Sequence, residues 1–178
     1  MRLLTRMAAT LCGLLATLAT TSAAQAEHLR FRATLAGTAA PTATGSPATG
    51  RATIRVDTAT QRVSVDLTIT GLGVDALWDR LVKGPIGPIH FHEYVARAGQ
   101  PDDVVLVLPL PYGPTYRPTR HGFRVRMKDY DYAAGAKLLG STATFAHFVT
   151  ALRDGHVILN VHTDRFTDGE ISGTVAAS

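Results

Sequence analysis

Histidines are the residues of this chain best suited to chemistry, and there are seven: His28, His90, His92, His121, His147, His156 and His162. His90 and His92 lie in the run Pro88-Ile89-His90-Phe91-His92-Glu93. Residues two apart on a strand leave from one face, so these two rings project together while Ile89 and Phe91 take the core side. In the later run His156–His162, the apolar face is Val157, Leu159 and Val161, and the opposite face carries His156, Ile158, Asn160 and His162. This alternation turns His90, His92 and His162 away from the hydrophobic interior, onto an outer strand surface. Neutral imidazole is a ligand for zinc and copper, and three or four nitrogens without sulfur suit Cu(II) in particular. His90, His92 and His162 are therefore the expected copper ligands, with His121 a looser candidate for a fourth position. If the last two strands form a hairpin, Glu170 falls opposite His162 and is expected to accept its second ring N–H. Asn160 shares that supporting role. The competing reading is a metal-free binding module whose histidines only make surface hydrogen bonds.

The other histidines offer less. His28 stands next to the expected mature N-terminus, His147 on a helix beside phenylalanines, and His156 just after a helix stop. No Gly-x-Ser-x-Gly, P-loop or dinucleotide fingerprint is present. Glu93, Asp102, Asp103 and Glu170 are not placed as a carboxylate pair by spacing alone. No catalytic residue and no organic cofactor is assigned.

Strands must carry these side chains. Leu29, Phe31, Ala33 and Leu35 alternate with more polar neighbours and end at Gly37. A loop rich in Ala, Thr, Pro, Gly and Ser covers 38–50. Ala52–Val56 and Val63–Ile69 are two further alternating runs joined by a short hairpin connection. Residues 71–84 are ambiguous, with a short helix carrying Trp78 over 74–82. A strand is expected at 86–94, and the apolar run 104–108 is another. Pro109, Pro111, Pro114 and Pro118 predict an irregular segment, because proline donates nothing to a sheet ladder. Phe123–Met127 follows as a strand whose other face carries Arg124, Arg126 and Lys128. One amphipathic helix is expected, capped by Ser141 or Thr142, with Phe145, Phe148, Val149 and Leu152 on one side and Gly155 as its stop. Val157–His162 and Glu170–Val175 close the chain. The fold class is all-β, an antiparallel sandwich or barrel with one short helix before its last two strands.

The N-terminus has the three parts of a secretory signal. Arg2 and Arg6 precede an apolar run from Met7 to Ala19, and Ala24-Gln25-Ala26 offers small residues for cleavage. The run is short of the ~20 residues that span a bilayer, so no membrane span is expected after cleavage. Residues 1–26 are thus the expected signal peptide and 27–178 a single domain, periplasmic or secreted. The only cysteine, Cys12, leaves with the signal, so neither a disulfide nor a thiolate site is available to the mature domain. Arg2 and Arg6 leave too, bringing the 18 basic residues nearly level with the 14 acidic ones. That balance, with Arg124–Lys128 alternating as a solvated strand face does, excludes nucleic acid as the expected partner. The remaining partner classes are a protein or a surface polymer.

The phrase Asn160-Val161-His162-Thr163, followed by Asp168-Gly169-Glu170-Ile171-Ser172-Gly173, resembles the CHRD domain, a family named for its occurrence in chordin and found also in bacterial secreted proteins. Phe31, Ala33, Leu35, Gly37 and Pro41 are similar to that family's opening strand, and Pro88–His92 looks like its central one. Ser172 stands where the family frequently has arginine. The resemblance spans nearly all of 29–175 and implies an immunoglobulin-like β fold with a distant likeness to copper–zinc superoxide dismutases. It implies no general activity. The run around His90 and His92 also looks like the copper-binding His-x-His strand of those dismutases, and Val161-His162 like their late copper histidine. A zinc cluster after His92, a disulfide and a substrate-guiding arginine are absent, Arg165 being too near His162. These departures weigh against a dismutase-type activity.

Overall fold

A computed structural model describes residues 26–39, 43–95 and 103–178. The expected signal peptide, apart from Ala26, lies outside the described residues, as do Pro41 and Asp102. Alternating apolar residues make the first three strands, β1 (His28–Ala36), β2 (Thr49–Asp57) and β3 (Arg62–Thr70). Their inner faces are apolar, with Phe31 on β1 and Ile or Val at several positions of β2 and β3, residues that pack well on a half-buried pleated surface. Phe31, Leu35, Ile54, Val63, Leu67 and Ile69 are all buried, and each such side chain contributes roughly 1.5–3 kcal/mol of burial. A 3-10 turn at Val74–Ala76 and a single helical turn, α1 (Asp79–Val82), flank Trp78.

Two strands follow, β4 (Ile89–Val95) and β5 (Asp103–Leu110), then β6 (Tyr116–Thr119) and β7 (Gly122–Asp131). The proline segment is thus less irregular than expected. Pro109 ends up inside β5 and Pro118 inside β6, and both strands stand at the two ends of the sheet path, where a missing N–H is tolerated. The chain then forms α2 (Tyr132–Leu139), which hydrophobic periodicity did not reveal, and α3 (Phe145–Arg153). Asp131 caps α2 by accepting from the Ala134 N–H. The cap of α3 is Thr144, accepting from the His147 N–H, and not Ser141 or Thr142. Gly155 holds the expected left-handed conformation, φ 72°. Finally come β8 (Val157–Val161), β9 (Ile171–Thr174) and the two-residue β10 (Ala176–Ala177).

All strand pairs are antiparallel. They form one curled sheet in the order β5-β4-β8-β9-β1-β2-β3-β7-β6, with β10 beside β1. The all-β class therefore holds, as a curled half-barrel wrapped about one core. Phe91 and Phe148 fix the helix side of that core at a ring separation of 6.4 Å, and Tyr132 stacks on Phe148 at 5.1 Å. Glu27 ties the start of the described chain to its body. Its N–H donates to Thr58 Oγ1 at 2.8 Å and its carboxylate pairs with Arg153. Among the described residues, no helix is long and apolar enough to cross a membrane.

Candidate metal centre

Strands β4 and β8 are direct neighbours, with His90 opposite Asn160 and Ile89 opposite Val161. His162 follows the last residue of β8, and its N–H donates to the Pro88 carbonyl at 2.9 Å. The pairing of β4 with β5 shifts register between Phe91 and His92. Such a bulge increases local twist and re-aims the side chains beside it. The three imidazoles converge: ring centroids lie 4.9 Å apart for His90–His162 and 5.7 Å for both His90–His92 and His92–His162. One nitrogen from each falls within 4.8 Å of the others.

The expectation that these histidines stand on an outer face is corrected. His90, His92 and His162 are 3%, 9% and 7% exposed. Every residue of β8 is buried, on both faces. The segment around Trp78 packs beside His162. Leu77 bridges Thr163, Trp78 N–H donates to the His162 carbonyl at 3.1 Å, and Asp164 N–H donates to the Ala76 carbonyl at 3.1 Å. The Trp78 ring lies 6.4 Å from that of His162. Alternation identifies which side chains share a face. It says nothing of what a distant loop lays over that face.

The hydrogen bonding inside this small polar interior is one-sided. His162 Nδ1 donates to the Thr167 carbonyl at 2.7 Å, which leaves Nε2 as the lone-pair nitrogen. That Nε2 and both ring nitrogens of His90 and of His92 are buried with no hydrogen-bond partner in the protein. Burial holds the His90 pKa down to about 3, helped by the neighbouring His162 and His92 charges. The Gly87 backbone offsets this slightly without reaching hydrogen-bond geometry. His92 is lowered to about 4 by burial and by His162, and His162 is lowered by burial against the opposing pull of Thr167 and Asp168. All three are therefore neutral at pH 7, the protonation state that metal ligation requires.

The supporting residues differ from the expectation. Glu170 does not bond His162. Its buried carboxylate accepts from Ser46 Oγ at 2.6 Å and from Thr163 Oγ1 at 2.7 Å. It thereby steadies the 43–48 loop and the residue after His162. The direct partner of the ring is a backbone carbonyl, for which side-chain types give no signal. Asn160 Nδ2 donates to the Asp168 carbonyl at 2.9 Å and holds the same turn. That turn passes so close that a Cβ at Gly169, already at φ 121°, would strike the Asn160 amide. His121 is exposed in the β6–β7 turn, outside the cluster of ligand nitrogens. His147 pairs instead with the buried Glu93, at 2.7 Å.

These shifts predict how the metal-free protein responds to acid. The folded pKa values of His90 and His92 lie below the ~6.5 of an unfolded chain, so the unfolded state binds more protons in between. The stability these neutral rings permit is fully present above about pH 6.5 and lost as pH falls toward 4. With chelator present, unfolding free energy is expected to drop between pH 7 and 4 by on the order of a few kcal/mol. In a His90→Leu/His92→Leu variant, urea titrations should show a clearly smaller drop. Equal drops would remove these rings as its cause.

A family model described as the CHRD domain matches residues 31–175. Neither a curated protein nor a solved structure gives a significant match.

Proposed function

The chain belongs to the CHRD domain family, and from that premise we propose that it is an exported copper-binding protein, with His90, His92 and His162 as ligands of one Cu(II) ion. The observation that carries this reading is the convergence of three buried imidazoles, with five ring nitrogens lacking a hydrogen-bond partner and one nitrogen of each ring within 4.8 Å of the others. An unpaired buried polar group costs roughly 1–3 kcal/mol, so such a cluster is expensive unless something binds it. A cation accepting one nitrogen from each ring offsets part of that cost. Two nitrogens at ~2.0–2.1 Å from one ion are at most about 4.2 Å apart, so rings now within 4.8 Å need only small rotations. The donor set is imidazole alone, which favours copper over magnesium or calcium, and copper leads the divalent affinity order. Bound there, the ion would supply either a store of copper or a one-electron couple. The chain supplies the rest. The Thr167 carbonyl fixes the His162 tautomer, and the Trp78 ring lies 6.4 Å from that of His162. Export rests on the signal-type leader, with a mature start at Glu27.

Titration of the exported protein with Cu(II) tests the proposal. One equivalent is expected to quench the fluorescence of Trp78, the single tryptophan, and to give a spin-resonance spectrum with nitrogen hyperfine structure. His90→Ala/His92→Ala/His162→Ala should lose both signals. Should the wild type bind no tighter than this variant, the copper reading fails and a metal-free binding module stands.

A further inference from the structure

The outer face of the β1–β2–β3–β7 sheet is strongly basic, although the mature chain is nearly neutral. Register places Arg30 directly opposite Arg55. The next row is Arg32, Thr53, Asp66 and Arg126, and the row after it is Thr34, Arg51, Thr68 and Arg124, with Arg117 beyond on β6. All of these arginines are exposed or half-buried. Asp66 is the one carboxylate within the Arg32 and Arg51 rows, while Ser64, which continues the Arg30–Arg55 row on β3, donates to the Asp129 carboxylate at 3.2 Å. Towards the sheet's end, Asp57 lies 4.0 Å from His28 and Asp131 pairs with Arg62 at 3.3 Å. Four arginines, Arg30, Arg32, Arg51 and Arg55, make no direct ion pair among the described residues, although Arg55 lies near enough to Asp66 to help Arg124 hold its carboxyl pKa down, and they form a stripe along β1 and β2. Like charges directly opposite on a sheet are destabilising, so the Arg30–Arg55 pair works against the fold.

The same face shows what it grips well. The Asp66 carboxylate accepts from Arg124 Nε at 2.9 Å and Nη2 at 2.7 Å, a forked pair, with Arg126 at 3.5 Å. Guanidinium forks fit carboxylates in this two-point way, and lysine does not. Successive rows on one strand are ~7 Å apart, so the stripe presents its cations in series, as a linear polyanion requires. The interleaved Thr34, Thr53 and Thr68 offer hydroxyls. No aromatic residue lies in these rows to stack a nucleobase, and the exposed large apolar residues, Tyr112 and Leu138, lie elsewhere, so nothing here would insert into a membrane.

We infer that the β1–β2 face binds an extended, carboxylate-bearing polysaccharide through Arg30, Arg32, Arg51 and Arg55. This site lies on the outer side of the sheet and is independent of the copper proposal. The test measures binding of the exported protein to oligogalacturonate by calorimetry at about 20 mM and about 200 mM salt, since exposed charge pairs are screened. Affinity should fall with salt. Arg32→Glu/Arg51→Glu should lower it at least about tenfold, since two charged contacts are lost, with thermal midpoint and Cu(II) titration little changed. Lys83→Glu/Lys137→Glu, the same change in charge placed elsewhere, should bind nearly as the wild type does. Equal affinity for neutral dextran would overturn the inference. So would tighter binding to single-stranded DNA or to anionic phospholipid vesicles, or an unaffected arginine variant.

Discussion

Replacing His92 with leucine is expected to move stability in opposite directions with and without copper. In the metal-free protein the change removes two buried nitrogens that have no partner and puts an apolar side chain of similar reach in their place. Unfolding free energy at pH 7 should rise by ~1–2 kcal/mol. The same change deletes one of three ligands. Losing a mere supporting partner costs a metal site ~10–100-fold in affinity, so here the loss should exceed about 100-fold. The wild type at a free copper level of 100 times its dissociation constant gains ~2.7 kcal/mol, which the variant forgoes, and the rank order inverts. Urea midpoints of both proteins, with chelator and then with Cu(II), read this directly. A variant less stable under both conditions would mean that the His92 ring is a packing element with no cost to relieve.

Phe91→Ala should give the largest loss of stability of any single change at the site. The ring is fully buried between the two ligand-bearing positions of β4 and packs edge-on against Phe148 at 6.4 Å. Truncating a buried phenylalanine typically costs ~3–5 kcal/mol, from lost transfer energy and the cavity left behind. Phe91→Leu keeps most of the volume and should cost less than about 1.5 kcal/mol. Because β4 carries His90 and His92, the alanine variant should also weaken copper binding, whereas the leucine variant should largely retain it. Calorimetric melting and Cu(II) titration of the pair check both statements. If Phe91→Ala costs under ~1 kcal/mol, the region collapses to fill the space, and β4 is not the rigid support described above.

What was legible in the chain follows from period. Two-residue alternation in Leu29–Leu35, Ala52–Val56 and Val63–Ile69 is enough for three strands, because one buried face forces apolar residues to every second position. The helical spacing of Phe145, Phe148, Val149 and Leu152 marked α3 in the same way. Helix α2 was missed because its Tyr132-Ala-Ala-Gly-Ala run is small and weakly patterned. Its Gly135 is buried, where a Cβ would meet Leu108 and Tyr130, so close approach decides that residue and no hydrophobic stripe announces it. Strand β6 was hidden by Pro118, which an end strand tolerates.

The sequence by itself determined the strand faces, hence that His90 and His92 leave β4 together and that His162 shares a face with Asn160. It also placed the single cysteine, Cys12, within the expected signal segment, and set arginines at alternate positions along β1, β2 and β7. Only the tertiary structure decided that β8 lies beside β4, that the three histidines are buried with the Trp78 segment beside His162, and that Glu170 serves Ser46 and Thr163 instead of His162. The reason is one of range. Side-chain direction is set within a few residues by backbone geometry, whereas burial and partner choice depend on segments tens of residues apart, brought together by the packing of the whole core. The arginine stripe shows both halves at once. Its residue types are written along β1 and β2, and the register between the strands sets Arg30 against Arg55.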